Sequence, residues 1–485
     1  MRRLSLFLLA ALAGWTPSPV SAAEKAARPN IVFAIADDWG WPHAGAYGDP
    51  VVQTPAFDRI AREGVLFQQA YVSSPSCTPS RNAILTGQHF WRLGTGANLW
   101  STLDTKLQTY PHLLQDAGYF VGHWRKSWGP GRLTGWEGHH PAGPNFKGVD
   151  AFLEAWPRDQ PFCFWFGASD PHRPYKEGSG VESGLDPSNI KLFEHFPDNE
   201  IVRGDVADYY WEVQRFDREL GELLDKLEAL GVLDNTLVVV TGDHGMPFPR
   251  GKGNVYDSGA RVPLAIRWPD VVKPGRKVDD FVSTTDLAPT FLEAAGLPSL
   301  ADMTGRSLMD ILRSSAAGRI DPSRDQVFIG KERHTVAQEA PDRGGTPMRA
   351  IRTYDFLFIQ NFHPERWPAG TPHSDKATLP GAWLGDCDNG PTKIYMAEHK
   401  DQDEEHRRKY DLAFGKRREF ELYDLEKDPG QMHNVAYDTG YLETRERLQA
   451  RLMEELKRTG DPRAFGRGDE TFDPPPYYGS VPKHP

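Results

Sequence analysis

Acidic residues follow two apolar segments of the sequence in a pattern that is typical of a metal site. Asp37 and Asp38 come directly after one apolar run, and Asp243 and His244 follow another. Three carboxylates in one place are costly unless a cation neutralises them, and their oxygens suit Ca²⁺, with Mg²⁺ as the second candidate. Each pair alone is equally consistent with a turn or a cap after a strand. The two pairs together favour a cation site.

Cys77 lies at the predicted start of a helix. Pro79 and Ser80 are typical of a first helical turn, so the thiol would lie where free N–H groups and the helix dipole favour an anion. Arg81, one turn further along, could hold an oxyanion through two hydrogen bonds. Taken alone, these residues also fit a buried structural cysteine beside a helix cap.

Three continuously apolar runs, at residues 30–36, 161–168 and 236–241, indicate strands that position these side chains. Helical patterns separate the runs, so the sequence predicts an α/β fold with a mostly parallel sheet. In such sheets the ligand site lies beyond the carboxyl ends of the strands. The second run is followed closely by His172, and we therefore expect a third polar cluster at the same edge.

Shorter strand patterns replace the long apolar runs from about residue 320 onward. They predict a smaller α+β unit with an antiparallel sheet, a helix over 441–459, and an irregular Pro-rich tail over 472–485. We expect a catalytic domain over residues 28–335 and a smaller C-terminal domain over residues 336–485.

The residues Cys-Thr-Pro-Ser-Arg at 77–81, followed by Leu-Thr-Gly at 85–87, resemble the signature of the formylglycine-dependent type I sulfatases of the alkaline phosphatase superfamily. In that family a formylglycine-generating enzyme oxidises the cysteine, and the hydrated aldehyde is the nucleophile. The resemblance extends along almost the whole chain after the N-terminus, as far as Glu-Leu-Tyr-Asp-Leu at 421–425. It implies a large α/β domain, with helices on both faces of a mostly parallel mixed sheet, and a smaller antiparallel α+β domain.

Within this family the chain most resembles the heparan N-sulfatase branch and related bacterial enzymes. The resemblance implies a metal site formed by five residues: Asp37, Asp38, Cys77, Asp243 and His244. It implies sulfate-binding roles for three cationic side chains: Arg81, Lys126 and Lys252. His172 would protonate the leaving oxygen or nitrogen, and Pro347-Met348-Arg349 resembles a substrate-facing stretch. The implied substrate is a sulfated saccharide with an N-sulfate or an O-sulfate.

One position departs from the family pattern of Gly-Lys-x-His. Lys126 takes the place of the lysine, but Trp128 stands where the histidine is expected. His123, three residues before Lys126, is the candidate substitute. The departure leaves two alternatives open beside the sulfatase reading. One is a phosphate or phosphonate monoester hydrolase of the same superfamily, and the other is a non-catalytic glycan-binding relative.

Charge and the N-terminal segment bear on partners and location. The net charge of −11 argues against a nucleic-acid partner, because phosphate binding needs clustered Lys and Arg. Residues 1–23 have a basic start, a short apolar run and small residues at the end, which predicts a cleaved signal peptide. We expect an exported protein, periplasmic or secreted, without stable membrane insertion.

Overall fold

The computed structural model describes residues 28–485, so the predicted signal peptide lies outside the described residues. This part of the chain contains eleven strands: β1 Asn30–Ala36, β2 Val65–Tyr71, β3 Phe120–Arg125, β4 Phe162–Gly167, β5 Thr236–Gly242, β6 Leu264–Arg267, β7 Arg276–Ser283, β8 Gln326–Lys331, β9 Met348–Thr353, β10 Phe356–Asn361 and β11 Phe420–Asp424.

The same residues contain thirteen α-helices: α1 Pro55–Glu63, α2 Cys77–Thr86, α3 Tyr110–Asp116, α4 Val149–Ala155, α5 Ser179–Glu182, α6 Glu200–Ala229, α7 Asp257–Ala260, α8 Leu287–Ala294, α9 Met309–Arg313, α10 Pro391–Glu398, α11 Glu404–Phe414, α12 Leu442–Arg458 and α13 Gly468–Phe472. No helix from residue 28 onward combines the length and apolar character that a membrane span needs.

Seven strands form the large sheet in the order β3-β4-β1-β5-β6-β2-β7. All pairs are parallel except those of β6, which is antiparallel to both of its neighbours. The central strand β1 lies between β4 and β5 and is buried along its whole length. The predicted α/β fold with a mostly parallel sheet is therefore confirmed. Asp37-Asp38 and Asp243-His244 lie at the centre of this sheet because β1 and β5, the strands that they follow, are hydrogen-bonded neighbours.

Both faces of the large sheet are covered by helices, as the continuous apolar character of β1 requires. Val32 and Ala34 point into the layer that contains Phe216 of α6. Phe33, which lies between these two residues on β1, packs against Phe291 of α8 on the opposite face, with ring centroids 5.7 Å apart. Alternate residues of β1 thus serve two separate apolar layers.

The remaining four strands form an antiparallel sheet in the order β11-β10-β9-β8, as predicted for the smaller unit. Helix α12 covers one face, where Leu452 packs with Ile351 of β9 and Leu422 of β11. Strand β8 of this sheet precedes residue 335. The division of the chain at that residue stays a prediction.

His43 makes folding stability depend on pH. It is 3% exposed and packs against Tyr209 and Tyr210, and burial, which outweighs the attraction of Asp49, lowers its pKa to about 4. Between pH 6.5 and 4 the unfolded chain binds a proton that folded His43 cannot, so stability falls as pH falls through this window. The full effect is about 3 kcal/mol.

We expect His43→Gln to reduce the loss of stability between pH 7 and pH 5 by about 2 kcal/mol, because the substituted side chain does not titrate. Urea unfolding at the two pH values measures the difference. His433→Gln, at an exposed histidine, is the matched control. An unchanged pH dependence in the His43 variant would contradict the assignment.

Candidate active site

Cys77 is the first residue of α2, and Ser76 is the N-cap. The thiol is 2% exposed, and its Sγ lies 3.2 Å from His244 Nε2 and 3.7 Å from Asp37 Oδ1. Burial raises the pKa of the Cys77 thiol, although Lys126 and Lys252 act in the opposite direction. The predicted position at a helix start is confirmed. The cysteine is surrounded by charged side chains rather than by apolar ones.

Asp37-Asp38 and Asp243-His244 meet because the parallel strands β1 and β5 end side by side, with Ala36 opposite Gly242. The chain turns after each strand, and the N–H of Asp38 donates to Asp243 Oδ1 at 2.8 Å. Asp38 has a φ of 74°, in the left-handed region that aspartate tolerates better than most residues. Gly242 has no room for a side chain, since a Cβ there would lie 2.1 Å from the Trp39 carbonyl oxygen.

The donor atoms at this edge fit a divalent cation. Asp38 Oδ1 is buried and has no hydrogen-bond partner among the described residues, which is the state expected of a ligand oxygen. His244 Nδ1 lies 3.0 Å from the Gly245 carbonyl oxygen, so the Nδ1–H donates to that carbonyl. The lone pair is then on Nε2, which lies 3.3 Å from Asp38 Oδ1. Three sets of possible ligand atoms each lie within 4.8 Å of one another: Asp38, Cys77 and His244; Asp37, Cys77 and Asp243; and Asp38, His172 and Asp388.

Three cationic side chains surround the carboxylates. Arg81 is fully buried, and its Nε donates to Asp243 Oδ2 at 2.8 Å while Nη1 donates to the Lys126 carbonyl at 2.6 Å. Lys126 Nζ lies 2.6 Å from both oxygens of Asp37. Burial opposes ionisation of Asp37, but Lys126 and the other nearby cations outweigh it and hold the pKa of Asp37 well below its usual range. Cationic side chains are therefore paired with the carboxylates next to Cys77.

Lys252 and His172 face a cavity of about 320 Å³ that Cys77 also lines. Lys252 Nζ donates to Asp38 Oδ2 at 3.0 Å. His172 Nδ1 lies 2.6 Å from the Arg173 carbonyl, and its Nε2 lies 3.9 Å from Asp38 Oδ2. The five expected metal ligands, the three expected sulfate-binding cations and His172 therefore lie together at the carboxyl edge of the large sheet.

Two further residues of the cavity were missed by the sequence analysis. Asp388 Oδ2 accepts from Lys252 at 2.9 Å, and Lys252 and His172 lower the pKa of Asp388 despite its burial. His334 Nδ1 lies 2.8 Å from Ser76 Oγ, and burial lowers the pKa of His334 to about 3. Asp388 stands in a segment typical of a turn. His334 follows β8, a strand of the smaller sheet, so the rule for the carboxyl edge of the large sheet does not place it.

The suggestion that His123 replaces the missing family histidine is wrong. Its Nδ1 is 2.9 Å from the Gly143 carbonyl, its ring stacks on His140 with centroids 4.2 Å apart, and it does not line the cavity. Trp128 packs against the apolar layer that contains Phe33. His334, which lies 2.8 Å from Ser76 Oγ, is an imidazole that does line the cavity.

The implied substrate-facing position of Arg349 is also wrong. Arg349 is 0% exposed on β9, where its guanidinium donates to Asp461 and to Glu332 at 2.5 and 2.7 Å. Its guanidinium also lies over the ring of Phe90, 4.9 Å from the centroid. These contacts make it a buried structural residue.

The family model described as Sulfatase matches residues 29–133 and 143–297 of this chain. The chain belongs to the sulfatase family. A second model, N-sulphoglucosamine sulphohydrolase, C-terminal, matches residues 242–361 of this sulfatase. Family membership was predicted from the segment 77–81, and it is confirmed.

Curated relatives cover most of the sulfatase chain. An ulvan-active sulfatase of Formosa agariphila is 28% identical, over 90% of this chain and 81% of the relative. The N-sulphoglucosamine sulphohydrolase of Homo sapiens is also 28% identical, over 90% of this chain and 91% of the relative. Both names describe hydrolases that act on sulfate groups, in agreement with the predicted enzyme class.

Solved structures confirm the fold. A structure in complex with its substrate D-glucosamine-2-N,6-O-disulfate has a TM-score of 0.63 at 22% identity, covering 90% of this chain and 98% of that chain. The phosphonate monoester hydrolase of Agrobacterium radiobacter has a TM-score of 0.62 at 18% identity, covering 89% and 96%. The fold therefore does not separate sulfate from phosphonate chemistry, and the side chains must carry that distinction.

Proposed function

We propose that this sulfatase hydrolyses sulfate ester or sulfamate groups on a sulfated saccharide, using formylglycine made from Cys77 and a divalent cation, Ca²⁺ or Mg²⁺. The observation that carries the proposal is the position of Cys77. The thiol is buried at a helix N-terminus, where its Sγ contacts His244 and Asp37 and the charges of Lys126 and Lys252 are near enough to act on its pKa. A structural cysteine gains nothing from such surroundings, whereas a nucleophile attacking an anion requires them.

Two groups that the encoded side chains do not themselves supply would complete this chemistry. Formylglycine at position 77 would supply a hydrated aldehyde as the nucleophile and, because the aldehyde can re-form, a route for the release of sulfate. The three aspartates and His244 would hold the cation, which would supply Lewis-acid stabilisation of a sulfate oxygen. Asp37 Oδ1, 3.7 Å from Sγ, is within reach of a proton on the group at position 77. Arg81, Lys126 and Lys252 offset the negative charge of the sulfuryl oxygens.

In this proposal His172 protonates the leaving group. Because Nδ1–H donates to the Arg173 carbonyl, the proton for the leaving oxygen or nitrogen is carried on Nε2, the atom that faces Asp38. We expect His172→Gln to lower saccharide desulfation by about 10²- to 10⁴-fold. The phenolate of an aryl sulfate with an acidic phenol can leave without that proton, so desulfation of this substrate should fall far less.

Steady-state kinetics on the two substrates measures this difference. His139→Gln, at a histidine that does not line the cavity, serves as the control. Equal losses on both substrates would contradict the role of His172 as the acid.

The decisive experiment for the proposed function compares aryl sulfate with aryl phosphate. It then screens N-sulfated and O-sulfated glucosamine and sulfated algal oligosaccharides, each with and without a chelator. Sulfate turnover that is lost with the chelator and restored by Ca²⁺ or Mg²⁺ is the expected result. Faster turnover of phosphate or phosphonate would replace the proposal with the alternative superfamily chemistry.

Maturation and location belong to the same proposal. The exported protein, periplasmic or secreted, would meet a formylglycine-generating enzyme that reads the segment 77–81. Mass spectrometry of the peptide containing residue 77, from the native host, tests this step. An unmodified thiol there would favour the non-catalytic glycan-binding alternative.

A further inference from the structure

The last thirteen residues, 473–485, here called the tail segment, return to the catalytic edge of the large sheet. Three of them, Ser480, Val481 and Pro482, line the same cavity as Cys77 and His172. The sequence predicted only an irregular Pro-rich end. The structure shows that this end contributes one wall of the active site.

The tail segment is fixed before it reaches the cavity. Arg333 donates from Nη1 to the Asp473 carbonyl at 2.9 Å and from Nη2 to the Pro475 carbonyl at 2.6 Å. The Tyr478 N–H then donates to the Trp100 carbonyl at 2.9 Å. Gly479 lies flat against the Trp100 ring, where a Cβ would come within 2.2 Å of it. Trp100, itself a lining residue, thus fixes where the wall begins.

The tail segment is fixed again at Pro482, the last residue that lines the cavity, and at Lys483, which follows it. The Pro482 carbonyl accepts from the Trp383 N–H at 3.0 Å, and the Lys483 carbonyl accepts from Asn389 Nδ2 at 2.8 Å. Val481 is 8% exposed and packs with Ala337 and Ala382. Anchors on both sides of residues 480–482 make them a built wall rather than a loose end.

The cavity that this wall encloses is small. Its volume of about 320 Å³ lies at the lower end of the roughly 300–1,000 Å³ found for small-molecule sites. His334 and Asp388 contribute to the lining from other segments, and Cys77 lies among them. Such a volume suits one sulfated sugar ring. An internal unit of a polysaccharide also needs space for the chain on both sides of that ring.

We propose that the tail segment restricts this active site to sulfated sugars at a chain end, because residues 480–482 occupy space that a continuing saccharide chain would need. The inference rests on the proposed function and adds its substrate class. The restriction is built from backbone anchors and apolar side chains, so it acts on the length and position of the saccharide and not on the sulfuryl transfer.

Two variants open the wall. One ends the chain at Gly479 and removes residues 480–485, and the other is full-length Val481→Gly, which keeps the backbone anchors. Substrates are matched oligosaccharides with the sulfate on a terminal or an internal unit, with an aryl sulfate as the measure of basal activity. We expect wild type to prefer the terminal sulfate, and the truncation to reduce that preference in kcat/KM by at least about tenfold. The glycine variant should shift the preference in the same direction.

A disulfide that locks the tail segment in place provides a control in which the wall cannot open. Ala382 and Lys483 face each other as an isolated antiparallel bridge, flanked by the bonds Trp383 N–H to Pro482 and His484 N–H to Gly381. Such non-hydrogen-bonded pairs are about 4.5 Å apart at Cα, within the range that a disulfide accepts. Oxidised Ala382→Cys/Lys483→Cys should keep wild-type activity on terminal sulfates. Loss of that activity on oxidation, with recovery on reduction, would overturn the fixed wall in favour of a lid.

Access to residue 77 can also be measured without catalysis. Protein made without the modifying enzyme keeps the Cys77 thiol, and Cys163→Ala/Cys387→Ala removes the two other thiols. Truncation should speed alkylation by a bulky maleimide more than by iodoacetamide. If no substrate is desulfated but truncation still speeds alkylation by the bulky maleimide more than by iodoacetamide, the proposed function fails. The inference that the tail segment restricts access to residue 77 is then retained. An unchanged size dependence together with an unchanged saccharide preference would overturn the wall.

Discussion

Replacement of Cys77 by serine should lower steady-state turnover of sulfated substrates by at least about 10⁴-fold, the scale seen when a catalytic nucleophile is removed. A serine hydroxyl in the same position keeps the helix N-terminus, Arg81 and both lysines. It can therefore still attack sulfur, but the resulting sulfate ester has no aldehyde to revert to and cannot expel sulfate. The enzyme should stop after one turnover.

Intact-mass measurement after incubation with substrate checks this result, because the serine variant should carry one added sulfate group. Cys77→Ala should be equally inactive and should carry none. Cys163→Ser, at a buried cysteine of β4, controls for the loss of a thiol elsewhere. Normal turnover in either Cys77 variant would rule out the nucleophile.

Most of the site could be predicted because its residues follow two local rules. Asp38, Asp243 and His172 come after apolar strands, and parallel neighbouring strands bring their carboxyl ends to one edge. Cys77 and Arg81 lie in one short helical motif. In both cases, the information that places the side chain lies within a few residues of it.

The rest of the cavity could not be predicted because irregular segments place it there through long-range contacts. Asp388 is held by Lys252, 136 positions earlier in the chain, and His334 is held by Ser76, 258 positions earlier. The tail is held at the cavity by two hydrogen bonds from Arg333 and by one each with Trp100 and Trp383. None of these contacts leaves a periodic pattern in the sequence.

Arg349 shows the opposite failure, where a motif resemblance suggested substrate contact and the structure shows a buried ion network. The guanidinium joins Asp461 to Glu332, and Glu332 is also held by Arg463 through two hydrogen bonds at 2.7 and 2.8 Å. All four side chains are at least nine-tenths buried, and the network ties β9 to the segment that follows α12. Its role is to hold the smaller sheet in place.

We expect Arg349→Met to destabilise the protein by about 3–5 kcal/mol, because the buried Asp461 carboxylate loses its charged partner while Glu332 keeps Arg463. Urea unfolding measures the loss, and Arg349→Met/Asp461→Asn should recover part of it, since that pair leaves no unpaired buried charge and asparagine retains the oxygen that accepts from the Arg463 N–H. Activity per folded molecule should be unchanged, because Arg349 does not line the cavity. A raised KM with wild-type stability would instead restore the substrate-facing role that the sequence motif suggested.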